Sequence, residues 1–145
     1  MNKNFYITTP IYYPSAKPHM GHAYSSIIAD FFARFKRMDG YDVHFLTGTD
    51  EHGLKIQRSA EKQNIDPLEF CNQISKTFRD LSKTLNLTNT DFIRTTEERH
   101  KKSVQHLWSE LENNDDIYLS KYSGWYSVSD KAFYSEDEIE DLDGV

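Results

Sequence analysis

Hydrophobic periodicity predicts two strands and a helix near the start of the chain. Residues 5–9 are rich in aromatic and β-branched side chains, as short buried strands are. From Met20 to about Met38 apolar residues recur at helical spacing, and Gly40 follows as a stop signal. Residues 42–47 predict a second strand. We expect the helix to bury its large apolar side chains in the core, namely Ile27, Ile28, Phe31, Phe32, Phe35 and Met38.

Two loops follow the predicted strands. Residues 10–18 contain three prolines, which a helix does not accept, and residues 48–53 form a turn after the second strand. A strand, a helix and a second strand in this order make a right-handed crossover between parallel strands, so both loops lie at one edge of the sheet. The sequence therefore predicts one crevice between residues 10–22 and residues 48–53.

Helices predominate farther along the chain. A short helix is expected near residues 54–63, and Asp66, Pro67 and Glu69 have the order of a helix N-terminus. The apolar face of that second helix is predicted to comprise Phe70, Ile74, Phe78, Leu81 and Leu85.

A further helix and a β unit are expected after residue 94. Residues 95–98 resemble a capping box, and the helix that follows is predicted to have a structural apolar stripe. That stripe comprises Val104, Leu107, Trp108 and Leu111. Residues 117–134 have the tyrosine and serine content of a small β unit, and the acidic residues 136–145 are expected to be a solvated end.

Composition and charge narrow the class of protein. The 145 residues, with 37% hydrophobic and 28% charged side chains, describe a globular chain with one domain as the default. No apolar run reaches the length of a membrane span, and the first residues lack a secretory signal, so we expect a cytoplasmic protein with no membrane partner. A net charge of −6 argues against general nucleic-acid binding. The lone cysteine, Cys71, is expected to be a small buried residue.

The crevice contains the residues that could perform chemistry. His19 and His22 begin the predicted helix three residues apart, where backbone N–H groups lack intrahelical partners and suit an anion. Gly21 leaves space for a flat ring, so we expect nucleotide phosphates beside the histidines and the base near this glycine. Asp50, one strand over, would then bind an ammonium group.

An apolar wall completes the predicted ligand-binding site. Ile11, Tyr12 and Tyr13 would line the side of the crevice next to that ammonium group. An amino acid beside ATP fits these features together.

Other chemistries are excluded or remain as alternatives. The glycines of residues 48–53 mimic a P-loop, but leucine occupies the lysine position, and the chain lacks a G-x-S-x-G elbow for covalent catalysis. His19, His22, Asp50 and His52 could instead form the metal centre of a hydrolase. A third possibility is a non-catalytic binding module built on a truncated nucleotide fold.

Four segments resemble a known enzyme family. Residues 18–22, Pro-His-Met-Gly-His, resemble the HIGH signature of class I aminoacyl-tRNA synthetases, a motif that other nucleotidylyl-transferring enzymes also carry. Residues 8–13, Thr-Thr-Pro-Ile-Tyr-Tyr, and residues 46–53, Leu-Thr-Gly-Thr-Asp-Glu-His-Gly, narrow the resemblance to the methionyl-tRNA synthetase family. Residues 91–100 also resemble that family.

The resemblance implies a fold and an activity. It implies an α/β chain that forms the N-terminal half of a Rossmann-like parallel-sheet catalytic domain over residues 1–115. The start of a small β-containing connective insertion follows over residues 116–145. The activity that it implies is ATP-dependent activation of methionine to methionyl-adenylate, followed by transfer to tRNA(Met) in protein synthesis.

The resemblance also implies roles for single residues. His19 and His22 match the family's catalytic histidines, which bind the ATP phosphates, and Gly21 matches the position that contacts adenine. Methionine-binding positions are matched by Ile11, Tyr13 and Asp50, with the aspartate holding the α-ammonium group.

Departures from the family pattern limit what is expected of this chain. Mg²⁺ is expected with ATP, but Ser127 and Asp130 stand where many members carry zinc-binding cysteines, so we expect no zinc and no protein-held metal. The KMSKS loop, the second half of the nucleotide fold and the anticodon-binding domain are absent. The chain is therefore expected to be an N-terminal part that does not charge tRNA by itself, with a sheet edge prone to aggregation.

Overall fold

A computed structural model describes residues 3–127, 129–130 and 132–139. The chain divides into two compact units, one running to Val104 and the other starting at Gln105. Among the described residues no helix combines the length and the apolar character needed to cross a membrane.

The first unit is built on a parallel sheet. Its strands are β1 (Lys3–Thr8), β2 (Tyr41–Thr49) and β3 (Asp91–Arg94), with β2 in the centre. Both neighbours of β2 run parallel to it, so the predicted α/β fold and the strand–helix–strand crossover are confirmed. The third strand was not predicted, because its four residues are too short to show a period.

Helix α1 (Met20–Met38) has the predicted length but buries the opposite face. Its buried side chains are small, namely Ala23, Ser26, Ala29, Asp30 and Ala33, and Ala29 and Ala33 pack on Val43 and Phe45 of β2. The prediction that the large apolar residues face the core is wrong, since Phe31 is 64% exposed and Met38 is 87% exposed. Small residues let the helix lie close to the sheet. Hydrophobic periodicity by itself marks two apolar faces of the helix and does not show which of them is buried.

Two helices separate β2 from β3. Helix α2 (Leu54–Gln63) matches its prediction, and α3 (Pro67–Thr84) begins as expected, with Asp66 Oδ1 accepting from the N–H groups of Leu68 and Glu69 at 2.8 and 3.2 Å. Ile56 and Ala60 of α2 pack on Phe70 and Cys71 of α3. Cys71 is 1% exposed, so the prediction that it is a small buried residue is confirmed. Burial, and the negative charge of nearby Glu51, raise the pKa of its thiol to about 11.

The remaining elements follow β3. Helix α4 spans Glu98–Asn113. The prediction that its apolar stripe has a structural role is wrong for three of the four residues, because Val104, Leu107 and Trp108 are each at least half exposed. The predicted β unit is confirmed by the antiparallel hairpin of β4 (Trp125–Ser127) and β5 (Ala132–Tyr134). A short 3₁₀ helix, Glu136–Glu138, comes next, and the rest of the expected acidic end lies outside the described residues.

Candidate functional site

A cavity lies where the chain leaves β1 and enters α1. Its volume is about 410 Å³. The lining residues come from the loop and the first turns of the helix: Pro10, Ile11, Tyr12, Tyr13, Ser15, Ala16, Lys17, His19, His22 and Ser25. The loop is held to β2 by a bridge in which Tyr12 N–H donates to Gly48 O at 3.0 Å and Asp50 N–H donates to Tyr12 O at 2.8 Å. The predicted approach of the two loops is therefore confirmed.

His19 and His22 cap the start of α1 reciprocally. His19 is the N-cap residue, and its Nδ1 accepts from Gly21 N–H at 3.0 Å. In return, His22 Nδ1 accepts from His19 N–H at 3.1 Å. The two imidazole rings lie with their centroids 3.9 Å apart. Two histidines thus replace the hydroxyl and carboxylate of an ordinary capping box.

The cap determines the tautomer of both rings. A backbone N–H always donates, so both Nδ1 atoms must be unprotonated, and each neutral ring carries its proton on Nε2. Burial, and the proximity of His19, lower the pKa of His22, which favours that neutral form. The pair therefore has two Nε2–H groups that can donate to an anion.

The expected anion donors at the helix terminus need a correction. The first backbone N–H groups of α1 were expected to lack intrahelical partners, but the Gly21 N–H donates to His19 Nδ1 and the His22 N–H donates to His19 O, each at 3.0 Å. The reason is the reciprocal cap, which periodicity does not reveal. The N–H donors of the pair that remain for a ligand belong to the imidazoles.

Gly21 is required by the cap itself. A Cβ atom on this residue would lie 2.9 Å from His19 Cε1 and 3.1 Å from His19 Nδ1. Any other residue would therefore displace the imidazole and weaken its bond to the Gly21 N–H. The need for glycine in the cap is independent of the predicted contact between Gly21 and adenine.

Asp50 and Glu51 are adjacent carboxylates in different surroundings. The Glu51 side chain is fully buried, and its carboxylate accepts hydrogen bonds from Arg94 Nε at 2.7 Å and Arg94 Nη2 at 2.9 Å. Among the described residues, Asp50 accepts only long hydrogen bonds, from His52 N–H and the Thr95 hydroxyl, each at 3.4 Å. Within the part of the chain that the structure describes, no basic side chain forms an ion pair with Asp50.

Glu51 is held ionised by its neighbours. Burial by itself would raise the pKa of the Glu51 carboxyl, but hydrogen bonds from Arg94, Thr96 and Thr49 and the Arg94 charge outweigh it and keep that pKa below its usual value. Arg94 also donates to Asn72 Oδ1 of α3 at 2.8 Å. The network joins β3, α3 and the loop that carries Asp50.

The threonines before α4 serve this loop. Thr95 Oγ1 accepts from Glu51 N–H at 2.8 Å, and Thr96 Oγ1 donates to Glu51 Oε2 at 2.5 Å. The prediction that Thr95 and Thr96 form a helix-capping box is therefore wrong. Their hydroxyls fix the loop because β3 lies directly beside β2, a pairing that the sequence did not reveal.

The alternative metal centre finds no support in the geometry. Among the described residues, no group of three or more His, Cys, Asp or Glu side chains could hold a metal ion. Both Nδ1 atoms of the histidine pair are occupied by backbone N–H groups, and His52 Nε2 lies 3.4 Å from Thr95 O.

Sequence comparison identifies the family. Residues 5–142 match the family described as tRNA synthetases class I (M). The chain belongs to this family. Methionine–tRNA ligase of Rickettsia bellii is 54% identical over 139 residues, which are 96% of this chain and 27% of that protein. Methionine–tRNA ligase 1 of Bacillus cereus is 54% identical over 97% of this chain and 21% of that protein.

A solved structure has the same fold. Mycobacterium tuberculosis methionyl-tRNA synthetase bound by methionyl-adenylate superposes with a TM-score of 0.93 at 46% identity. The match covers 98% of this chain and 28% of that one. This class I synthetase chain thus spans less than a third of the length of the relatives that it matches.

Sequence reasoning named only part of this candidate site. Four predicted residues, Ile11, Tyr13, His19 and His22, line one cavity, and Gly21 lies directly beside the His19 ring. Asp50 is joined to the cavity through the Tyr12 backbone. The supporting residues were missed, namely Tyr12 as a buried support, Glu51, Phe78, Arg94 and Thr95. Phe78 was predicted only as part of the apolar face of α3, and the other four stood out only by their position in segments that resemble the family.

Proposed function

We propose that this protein acts in the ATP-dependent activation of methionine and, within a protein of the relatives' length, in the charging of tRNA(Met). Family membership and relatives named methionine–tRNA ligase support the proposal. The observation that carries it is the contrast between Glu51, whose charge is neutralised by Arg94, and Asp50, which has no cation among the described residues. A partly buried carboxylate without a cation suits the α-ammonium group of an amino acid.

The methionine subsite combines that carboxylate with exposed apolar groups. Ile11 and Tyr13 are 43% and 46% exposed and line the cavity. They belong to the segment whose backbone accepts from Asp50 N–H. We assign Asp50 to the α-ammonium group and Ile11 and Tyr13 to the apolar side of methionine.

The ATP subsite uses the capped histidines. The Nε2–H groups of His19 and His22 would donate to phosphate oxygens, and donors held in place beforehand stabilise charge that develops as pyrophosphate leaves. Neutral donors of fixed tautomer need no rearrangement during the reaction. Gly21, which lies under the His19 ring, is assigned to the adenine side.

The chemistry requires positioning more than proton transfer. A carboxylate oxygen of methionine forms a bond to the α-phosphorus of ATP, and the bond from that phosphorus to the β-phosphate bridging oxygen breaks. Pyrophosphate leaves with the electron pair, giving methionyl-adenylate. Methionine is already ionised at neutral pH, so no general base is needed, and correct placement can supply roughly 7–11 kcal/mol.

A metal ion is expected to arrive with the nucleotide. The described residues offer no cluster of three ligands for a metal. Mg²⁺ is predicted to enter with the ATP phosphates, whose negative charge it would neutralise. The absence of zinc also remains a prediction. Ser127 and Asp130, at the positions of the expected cysteines, hydrogen-bond each other at 2.5 Å.

We also propose that residues 1–115 belong to the first half of the catalytic domain and residues 116–145 to the connective insertion. The exposed apolar face of α1 supports a larger domain, because folded proteins seldom expose contiguous apolar patches of such size. That face includes Tyr24, Ile27, Phe31 and Phe35. Transfer of methionine to tRNA(Met) would require such additional structure.

Methionine-dependent exchange of pyrophosphate into ATP by the complete gene product tests the proposal. In Asp50→Asn the ammonium group loses a charged partner worth about 1.5–3 kcal/mol, so the KM for methionine should rise about 10- to 100-fold. The KM for ATP should change little, because the histidine pair is intact. Asp42→Asn, which changes an exposed carboxylate on β2, the strand that precedes Asp50, is the matched control and should leave both constants unchanged.

Three results would contradict the proposal. Exchange that depends on an amino acid other than methionine would favour another enzyme of the HIGH-motif class. Metal-dependent hydrolysis without exchange would favour the hydrolase. An unaltered KM for methionine in Asp50→Asn would remove the assigned role of the carboxylate.

A further inference from the structure

Tyr12 differs from its neighbours in direction and burial. It is 6% exposed, whereas Ile11 and Tyr13 are 43% and 46% exposed. Side chains alternate along an extended segment, so if residues 11 and 13 face a ligand, residue 12 faces inward. Its side chain reaches below the start of α1, as its hydrogen bonds show.

The hydroxyl of Tyr12 contacts the first turns of α1. It hydrogen-bonds Ser26 Oγ at 2.8 Å and Ser25 Oγ at 3.1 Å, and it donates to His22 O at 3.3 Å. Ser26 is 2% exposed. A single phenol group therefore holds the helical turn that carries His22.

The ring of Tyr12 contacts the His22 imidazole directly. The two centroids are 4.9 Å apart at an interplanar angle of 79°, an edge-to-face contact. Phe78 of α3 stacks on Tyr12 with centroids 5.5 Å apart and meets His22 edge to face at 5.1 Å. The imidazole thus packs against two aromatic rings that stack on each other, with its Nδ1 fixed by the cap.

The backbone of Tyr12 contacts the other half of the site. Its carbonyl oxygen accepts from Asp50 N–H at 2.8 Å, and its N–H donates to Gly48 O at 3.0 Å. These bonds do not involve the side chain. Substitution of the side chain should therefore disturb His22 and leave the Asp50 loop in place.

We infer that Tyr12 is a positioning residue for methionine activation, holding the His22 imidazole at the ATP phosphates while its backbone sets the distance to the methionine subsite. The inference rests on the function proposed above. Tyr12 itself is not assigned a contact with the reacting atoms. It acts through His22, so its effect should appear in turnover and disappear when the imidazole is absent.

The test measures methionine-dependent pyrophosphate exchange by the complete gene product. Tyr12→Phe keeps both ring contacts and removes the hydroxyl, and we expect kcat to fall about tenfold, because the helical turn that carries His22 loses its hydrogen bonds to the phenol. The KM for methionine should stay within about twofold, because Asp50 is held by the backbone. Tyr6→Phe, an exposed tyrosine of β1, is the control and should leave kcat unchanged.

A second variant removes the same contact from the other side. Ser26→Ala deletes the partner of the shortest of these hydrogen bonds. Alanine is well tolerated in a helix, so this variant should fold even if Tyr12→Phe does not. Its kcat should fall in the same direction as that of Tyr12→Phe.

The double variant Tyr12→Phe/His22→Ala separates positioning from general stabilisation. If Tyr12 acts through His22, the double variant should have the kcat of His22→Ala alone within about twofold. Multiplying effects, or an unchanged kcat in both Tyr12→Phe and Ser26→Ala, would overturn the inference while leaving the proposed function intact. Absence of exchange in the unsubstituted protein would overturn the proposed function and the inference with it.

Discussion

Replacing Arg94 by methionine would test the network under the Asp50 loop. Methionine keeps much of the apolar stem of the side chain but removes both N–H groups that reach Glu51, at 2.7 and 2.9 Å, and the one that reaches Asn72. The Glu51 carboxylate would then be buried without a cation. Only the hydroxyls of Thr49 and Thr96 would still donate to it.

The expected cost follows from this burial. Breaking a buried ion pair from one side destabilises a protein by about 3–5 kcal/mol, because it leaves an uncompensated charge. The Glu51 side chain is 0% exposed and that of Arg94 only 20% exposed, so little of the cost is screened by water. The two remaining hydroxyl donors favour the lower end of that range. About 3 kcal/mol is a large part of the roughly 5–15 kcal/mol that stabilises a typical domain.

The loss should depend on pH in a definite direction. The Glu51 carboxyl has a pKa held below its usual 4.5, so in the unsubstituted protein it contributes stability that is complete above that value and is lost as the pH falls through the lowered pKa. In Arg94→Met, burial is no longer opposed by the guanidinium, and the pKa should rise. The stability difference between the two proteins should therefore be greatest at neutral pH and shrink on acidification.

Urea unfolding followed by circular dichroism measures the difference. Arg58→Met, an exposed arginine of α2, is the control and should change the unfolding free energy by less than about 0.5 kcal/mol. Adding Glu51→Gln to Arg94→Met should recover part of the loss, because a neutral amide is less costly to bury than a carboxylate. A loss of less than about 1 kcal/mol at every pH would refute the reasoning, because a buried unpaired carboxylate costs more than that.

Two further predictions concern the strand contact and the histidine pair. In Gly48→Ala the new Cβ would lie 2.0 Å from Ile93 O, so β2 and β3 must separate. The soluble yield and the urea midpoint should both drop sharply. A midpoint like that of the unsubstituted protein would contradict this prediction. The pKa of His22 is lowered from 6.5 by burial and by His19, so its neutral cap should be intact at neutral pH and lost as the pH falls through that lowered pKa. We expect kcat for exchange to decline as the pH falls below 6.5, with His22→Ala lacking that part of the profile, whereas an identical profile in both proteins would contradict it.

Local signals in the sequence were sufficient for several elements. Asp66 and Pro67 predicted the start of α3, because a capping aspartate and a first-turn proline act within one turn of chain. The period of α1 and the β-branched character of β1 likewise depend on neighbouring residues only. The same locality makes the spacing of His19 and His22 visible, since three residues along a helix place two side chains together.

By itself, then, the sequence determined the order of the main elements, the family and most of the residues proposed to contact substrates. Tertiary structure alone decided which face of α1 is buried, because the space above a sheet selects small side chains and periodicity does not report space. It also decided that Glu51 is neutralised while Asp50 is not, since the guanidinium that discriminates between them lies on β3, far along the chain. Charge pairing and close packing depend on distances in space, and those distances exist only once the strands are side by side.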